Sequence, residues 1–223
     1  MDRSDVIGRN LGDNPRPFIE EALRSAGVET RTGTSVARIT SDSVVLGDGE
    51  RIDAATVVVS AGLCASALAQ LLDAERDQIG RLAVDEALRV RGVPDVYATG
   101  DIARAYADDD RLALMSCQHA LTMGRFAGYN TARDLLGLPL RAYRQPRYVT
   151  CLDLGSWGAV FTTGWDRQVE LTRGEAKQLK RQINCQRIYP PTGDRATILA
   201  AAALDAGSGG KSLQDEIRTY FGE

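Results

Sequence analysis

Apolar residues recur at intervals of three and four along several segments of the chain, the spacing that predicts amphipathic helices. Residues 17–27 form the first of these segments, and Gly27 stands where that helix would end. Residues 116–136 form the longest, with Ser116 as the expected N-cap and Gly137 at the expected end. Shorter helices are predicted at residues 65–72, 174–183, 196–204 and 213–221.

Runs of β-branched residues predict strands between these helices. Residues 56–60 (Thr-Val-Val-Val-Ser) run into Ala61 and Gly62, and such an uninterrupted run is typical of a strand buried on both faces. Residues 96–99 predict a second buried strand. An Asp-Gly pair within residues 47–50 favours a hairpin turn because it readily adopts positive φ. Further strands are expected at residues 28–32, 35–39, 44–46, 148–152 and 157–162.

The order of these elements predicts an α/β fold over residues 1–138, followed by a smaller α+β domain. Residues 141–146 (Arg-Ala-Tyr-Arg-Gln-Pro) are expected to form a linker, because the composition of the chain changes after them. No internal repeat at the period of a solenoid is visible.

Composition and charge narrow the function classes. Lys and Arg total 27 against 30 Asp and Glu, and a net charge of -3 does not favour nucleic-acid binding. No apolar run approaches the roughly 20 residues that span a bilayer, and the N-terminal residues lack the apolar stretch of a secretory signal. The four cysteines include no C-x-x-C pair, so we expect reduced thiols in a cytoplasmic protein.

The most informative chemistry lies in residues 93–103. The predicted strand would deliver Thr99, Gly100 and Asp101 at its C-terminal edge, where open α/β sheets bind ligands. Gly100 lets the backbone approach a bulky cofactor because it has no side chain, and Asp101 can accept hydrogen bonds from sugar-like hydroxyls. The alternative is a strand end turned by glycine, with Asp101 as a local cap.

The start of the 116–136 helix is the second candidate. The backbone donors and dipole of a helix N-terminus favour negative charge nearby, and Cys117, Gln118 and His119 form this first turn. His119 is the only histidine, and it is either a site residue or a hydrogen-bonded packing residue. Cys117 has no partner cysteine near it in sequence, which favours a small buried residue over a nucleophile.

Three blocks, in this order, resemble the later part of the pyridine-nucleotide-dependent flavoproteins. They are residues 53–62, residues 97–102 with Gly-Arg-Leu at 80–82 before them, and residues 116–120. Residues 148–161 are similar to the C-terminal region of the type II NADH dehydrogenase branch rather than to the dimerisation domain of the disulfide reductases. The resemblance covers nearly the whole chain, and the order of the blocks is more specific than any single block.

The resemblance implies a partial FAD/NAD(P)-binding, two-dinucleotide-domain fold. Residues 1–62 would close an NAD(P)-binding domain, residues 63–138 would form the C-terminal part of an FAD-binding domain, and residues 139–223 would form an α+β interface or acceptor domain. The family's G-x-G-x-x-G loops for the FAD and NADH phosphates do not occur in the sequence. We therefore expect a truncated chain or a separate second subunit that supplies the N-terminal half.

The implied function is FAD-dependent NAD(P)H oxidation, with electrons passed to a quinone or another small acceptor. Gln118 and His119 would line the acceptor side as the catalytic pair. Cofactor contacts are expected from Ala61, Gly62, Thr99, Gly100, Asp101, Ser116, Cys117 and Gln118. We also expect a homo- or hetero-oligomer and a peripheral contact with the inner face of the plasma membrane.

Two alternative functions stay open at this point. The first is a non-catalytic remnant or interaction subunit of a split flavoprotein, which keeps the fold and binds no redox cofactor alone. The second is a flavin-binding subunit that takes electrons from a protein donor and needs no NADH.

Four weaker motifs favour structural interpretations. Residues 209–212 end like a phosphate-binding loop but follow no predicted strand, so a linker is preferred. Three aspartates at 108–110 favour a solvated acidic loop over a metal site. One predicted helix has a basic face, which we interpret as solvent-exposed rather than as a contact with anionic lipid. Its members are Arg173, Lys177, Lys180 and Arg181. Core or interface positions are preferred over a quinone-facing rim for Trp157, Trp165 and Tyr189.

Overall fold

The computed structural model describes residues 1–204. The α-helices are α1 (Arg16–Ser25), α2 (Cys117–Leu135), α3 (Arg173–Gln182) and α4 (Arg195–Ala201). The strands are β1 (Val36–Ile39), β2 (Ser43–Leu46), β3 (Arg51–Asp53), β4 (Leu82–Ala83), β5 (Ala103–Arg104), β6 (Val149–Asp153), β7 (Ala159–Thr163) and β8 (Gln168–Thr172). Short 3₁₀ turns lie at Arg9–Leu11, Ala67–Leu71, Gly100–Ile102 and Gly155–Trp157, and a π-helical turn lies at Ile183–Arg187.

The chain divides into two compact units. The first combines Met1–Ala61 with Arg147–Gln186, and the second combines Gly62–Pro146 with the described residues after Gln186. The predicted limits of three domains, at residues 1–62, 63–138 and 139–223, stay predictions.

The first unit contains two antiparallel meanders. Strands β1, β2 and β3 form one sheet, and the predicted turn at residues 47–50 joins β2 to β3, with the Leu46 amide donating to the Glu50 carbonyl at 2.8 Å. Strands β6, β7 and β8 form the other. Helix α1 contributes Ala22 to a core with Trp157 and Val160, so the core position expected for Trp157 is confirmed.

The second unit carries the segments singled out for their chemistry. Strand β4 pairs in parallel with β5, with Leu82 opposite Ala103. The buried residues of the second unit are mostly small or aliphatic, and they include Leu82, Leu88, Val90, Ala98, Ala105, Met123 and Ala127. Helix α2 packs against the Gly100–Ile102 turn. The unit therefore brings the predicted Gly-Asp turn and the predicted helix together.

Several predicted elements are wrong in type. Residues 56–60 form no strand, and 88% of Val58 is exposed. Their β-branched composition favours extended backbone, but a strand also needs neighbours for its ladder hydrogen bonds, and none pairs with this run within residues 1–204. Residues 96–99 make only an isolated bridge between Arg89 and Tyr97. Residues 28–32 are not a strand, and residues 65–72 contain a 3₁₀ turn instead of an α-helix.

Other predictions fall outside the described chain or concern the membrane. The final helix at 213–221 and the glycine-rich stretch at 209–212 lie beyond the described residues. Among residues 1–204, none of the helices has the length and hydropathy needed to cross a bilayer.

Candidate functional site

The turn at Gly100 is shaped by its contact with helix α2. Gly100 has a φ of 70°, a left-handed conformation that side chains other than glycine rarely adopt. A Cβ atom added there would lie 3.3 Å from the Cβ of Ala120 in the first turns of α2. A side chain at position 100 would therefore be strained by this φ and would press the turn and the helix apart by a few tenths of an ångström.

Asp101 follows directly and is exposed. Within residues 1–204 its carboxylate takes part in no hydrogen bond or ion pair, so it does not cap the 3₁₀ turn that contains it. Thr99, which precedes the glycine, is extended and half-buried. The carboxylate is thus presented to solvent beside the contact between the turn and α2.

Helix α2 begins as predicted. The Ser116 hydroxyl accepts a hydrogen bond from the His119 amide at 3.3 Å, and the Ser116 carbonyl accepts one from the Ala120 amide at 2.9 Å. Cys117, the first helical residue, is exposed rather than buried. Its backbone amide has no acceptor inside the helix, because the first four N–H groups of any α-helix have no carbonyl one turn before them. The positive end of the dipole of a 19-residue helix is therefore exposed at Cys117.

His119 points away from solvent. Its side chain is fully buried, and its Nδ1 atom lies 3.1 Å from the hydroxyl oxygen of Tyr143. The Tyr143 hydroxyl donates to Oε1 of Gln145 at 3.1 Å, and Nε2 of Gln145 donates to the Gln118 carbonyl at 3.4 Å. The network ties the first turn of α2 to residues 141–146, so His119 forms the hydrogen-bonded packing contact that the sequence left as one of two alternatives.

Burial fixes the charge state of this network. Desolvation lowers the pKa of His119 to about 4, and a hydrogen bond to the Gln145 side chain opposes the shift. Burial likewise raises the pKa of Tyr143. Both side chains are therefore neutral at physiological pH.

The prediction that residues 141–146 form a linker is wrong. Asn130 in α2 donates from its side-chain amide to the Arg141 carbonyl at 2.8 Å, and its Oδ1 accepts from the Arg141 amide at 2.8 Å. The same amide group reaches the Ala87 carbonyl at 2.9 Å. Tyr143 and Gln145 are the site residues that sequence reasoning missed. Their alternation with the exposed Arg144 is the one available signal, since period two marks an extended segment with one buried face.

The remaining candidate residues are placed as follows. Ala61 and Gly62 are exposed residues outside the helices and strands, and Gly62 has a φ of 103°. Their contact with a cofactor stays a prediction. In the acidic loop, Asp108 pairs with Arg111 at 3.3 Å, and within residues 1–204 no group of three or more potential ligands is placed to hold a metal ion.

The basic face and the tryptophans form structural contacts. Two members of the basic face are engaged, Arg173 with Glu21 at 2.5 Å and Lys177 with Asp153 at 2.6 Å. Trp165 stacks on Tyr148, with ring centroids 5.2 Å apart.

The sequence of the described site matches a known family. The model for the pyridine nucleotide-disulphide oxidoreductase family matches residues 1–124. The chain belongs to this family. The matched residues include Gly100, Asp101 and the start of α2. The resemblance seen in the sequence is confirmed, and the family supports FAD and NAD(P)H as the cofactors.

Curated relatives with similar sequences include proteins named as NADH dehydrogenase-like or NADH:quinone oxidoreductase. An NADH dehydrogenase-like protein of Mycobacterium tuberculosis is 53% identical over 204 residues, which cover 91% of this chain and 51% of that protein. A type II NADH:quinone oxidoreductase of Haemophilus influenzae is 23% identical over 151 residues, covering 67% of this chain and 34% of the relative. The chain is thus similar to NADH dehydrogenase-like proteins, and it spans about half the length of its mycobacterial relative.

A solved structure supports the fold. An FAD-dependent pyridine nucleotide-disulphide oxidoreductase from Desulfovibrio vulgaris superimposes with a TM-score of 0.59 at 21% identity, covering 73% of this chain and 41% of the other. The predicted fold class, a partial FAD/NAD(P)-binding α/β fold, is confirmed.

Proposed function

We propose that this chain forms the flavin-facing part of an FAD-dependent NAD(P)H oxidoreductase that delivers electrons to a quinone. The main support for the proposal is the contact between Gly100 and Ala120, because it places the exposed Asp101 carboxylate beside the exposed N-terminus of α2. The names of the relatives agree: one is an NADH dehydrogenase-like protein, another a type II NADH:quinone oxidoreductase, and a third, from Synechocystis, a demethylphylloquinone reductase.

The residues present fit one edge of FAD. Gly100 packs against Ala120, so the turn and the N-terminus of α2 lie close enough to contact one ligand, and Asp101 offers an acceptor without a protein partner among the described residues. The amide of Cys117 and the dipole of α2 favour negative charge. We assign cofactor contacts to Thr99, Gly100, Asp101, Ser116, Cys117 and Gln118, with Ala61 and Gly62 as further predicted contacts.

The protein's own contribution is position and electrostatics, while bound FAD supplies the hydride and electron chemistry. Gln118 lies in the first turn of α2 and is half-buried, so its side chain remains our candidate for the acceptor side. His119 is fully buried, and we propose that it acts on the acceptor side through Tyr143 and Gln145. Of these two, Gln145 donates to the Gln118 carbonyl. His119 is a positioning residue in this account.

Electron transfer is tested with the purified chain supplied with FAD, NADH and a water-soluble quinone. We expect quinone-dependent loss of NADH absorbance above the rate given by free FAD. Gln118→Ala should lower the rate with quinone, expressed per molecule of bound flavin, and Thr131→Ala, on the same helix, serves as the control. Flavin-loaded chain with no NADH oxidation above free FAD would contradict the proposal.

One observation favours the alternative, an interaction subunit of a split flavoprotein. Val58 and Val59 are 88% and 64% exposed in a run with the composition of a buried strand, and the sequence has no G-x-G-x-x-G loop. A second polypeptide that supplies such a loop would pair with this run. Measuring the mass of the native assembly, with and without Val58→Lys, tests this: the substitution should release the partner.

Contact with the cytoplasmic face of the membrane stays a prediction. Two of the four basic residues proposed for it, Arg173 and Lys177, already form ion pairs with Glu21 and Asp153.

A further inference from the structure

The second unit contains the same hydrogen-bonded turn twice. Oδ1 of Asp77 accepts from the amides of Ile79 at 3.1 Å and Arg81 at 2.8 Å, and Oδ2 accepts from Nε of Arg81 at 2.7 Å. Asp85 repeats the pattern with the amides of Ala87 and Arg89, both at 2.9 Å, and with Nε of Arg89 at 3.0 Å. The two turns have the same local geometry, so any difference between them comes from their surroundings.

Among the described residues, only the arginine side chain of the first turn hydrogen-bonds to another part of the unit. The Arg81 side chain is 12% exposed, and its Nη1 donates to the Ala113 carbonyl at 3.2 Å. The Arg89 side chain is 47% exposed, and within residues 1–204 its guanidinium hydrogen-bonds to Asp85 alone. Burial would raise the pKa of Asp77, but hydrogen bonds from the Arg81 side chain and amide bring it below its ordinary value. The Asp77 carboxylate is therefore ionised, and its hydrogen bonds hold the Arg81 side chain in place.

The peptide groups of Ala113 connect both halves of the site. Its carbonyl binds Arg81, and its amide donates to the Ala105 carbonyl at 2.9 Å. Ala113 lies three residues before the N-cap of α2, and Ala105 follows β5, which itself follows the Gly100–Ile102 turn. A displacement of Ala113 would therefore move the helix N-terminus relative to Asp101.

We propose that Arg81 is a positioning residue, oriented by Asp77, that fixes the N-terminus of α2 against the Gly100–Ile102 turn. The expected effect of Arg81 on FAD binding rests on the proposed function. Its mechanical role, holding the N-terminus of α2 in position, does not. Arg81 suits this role because a planar guanidinium can bind a carboxylate and a carbonyl at once, whereas an ammonium group is a single point charge.

The test compares Arg81→Met with Arg89→Met, which removes the same side chain from the same local turn. Amide hydrogen exchange over residues 113–120 is measured in the cofactor-free chain, and FAD affinity is measured by quenching of flavin fluorescence. We expect Arg81→Met to exchange about fivefold faster over this segment and to bind FAD at least about fivefold more weakly, the factor that one net hydrogen bond supplies. Arg89→Met should change neither.

Two further variants keep the test decisive. Asp77→Asn retains the acceptor for the backbone amides but removes the charge, and it replaces Arg81→Met if that variant does not fold. Arg81→Lys should recover only part of the FAD affinity. Unchanged exchange in both Arg81→Met and Asp77→Asn overturns the mechanical role, and faster exchange with unchanged FAD affinity overturns the positioning role. If the unmodified chain binds no FAD, the proposed function fails, and exchange still decides whether Arg81 holds the helix.

Discussion

The Nδ1 atom of His119 lies 3.1 Å from the hydroxyl oxygen of Tyr143, and both side chains are buried. This pair joins the first turn of α2 to an extended segment, and Gln145 continues the network to the Gln118 carbonyl. These hydrogen bonds anchor the start of α2 at the point where the proposed flavin contact begins. They also leave a buried, neutral imidazole, and the contribution of this group to the free energy of unfolding can be measured through its pH dependence.

His119 predicts a loss of stability in mild acid. Its pKa in the folded chain is about 4, below its ordinary 6.5, so between these values only the unfolded chain takes up the proton. Stability from this group is complete above pH 6.5 and falls as the pH drops toward 4. We expect the free energy of unfolding to fall by about 1 kcal/mol between pH 7 and pH 5.5. Denaturant unfolding at the two pH values measures the change.

The single histidine of the chain makes this prediction specific. Nuclear magnetic resonance of the imidazole Cε1 proton should show no titration between pH 7.5 and 5.5 in the folded chain. A midpoint near the ordinary histidine value would show that the ring is solvated, which contradicts the buried network.

Gly100→Ala tests the close approach of the turn to α2. The new side chain would adopt a φ of 70° and meet the Cβ of Ala120 at 3.3 Å. Gly92→Ala is the matched control, since Gly92 has a φ of 79° but no atom within 4 Å of an added Cβ. Both variants should lose about 1 kcal/mol from backbone strain. Only Gly100→Ala should also weaken FAD binding, measured by flavin fluorescence. Equal FAD affinities in the two variants would count against a cofactor contact at this turn.

Asn130→Ala tests whether residues 141–146 are fastened to α2. The substitution removes three hydrogen bonds, two to the Arg141 backbone and one to the Ala87 carbonyl. We expect a loss of about 2–3 kcal/mol in the free energy of unfolding, because buried backbone groups are left without partners. Asn14→Ala removes one exposed bond, to the Asp166 carbonyl, and should cost less than about 1 kcal/mol. Similar losses in the two variants would show that the segment is a loose linker after all.

The helices with clear periodicity and caps could be predicted from the sequence. Ser116 caps α2, and α1 ends two residues before Gly27. Local signals suffice there, because a helix makes its hydrogen bonds within one segment. The strand at residues 56–60 was predicted wrongly for the converse reason: β-branched composition is local, but strand pairing depends on other parts of the chain.

The candidate site was predictable in part. The order of the Gly-Asp turn and the helix indicated that Gly100, Asp101 and Ser116 belong together. The roles of Tyr143, Gln145 and Asn130 could not be predicted from the sequence. The residues next to a polar side chain in sequence do not show which distant group it will hydrogen-bond. The two Asp-x-x-x-Arg turns show the same limit, as only the fold distinguishes Arg81 from Arg89.

The central claim is that this chain holds FAD at Asp101 and the N-terminus of α2. The direct measurement is the visible absorbance of the purified chain after incubation with excess FAD and desalting. Asp101→Ala is compared with Asp110→Ala, which removes another exposed carboxylate of the same unit. We predict that flavin bands are retained by the unmodified chain and by Asp110→Ala, and lost in Asp101→Ala. Equal flavin retention in both variants, or a colourless unmodified chain, would contradict the claim.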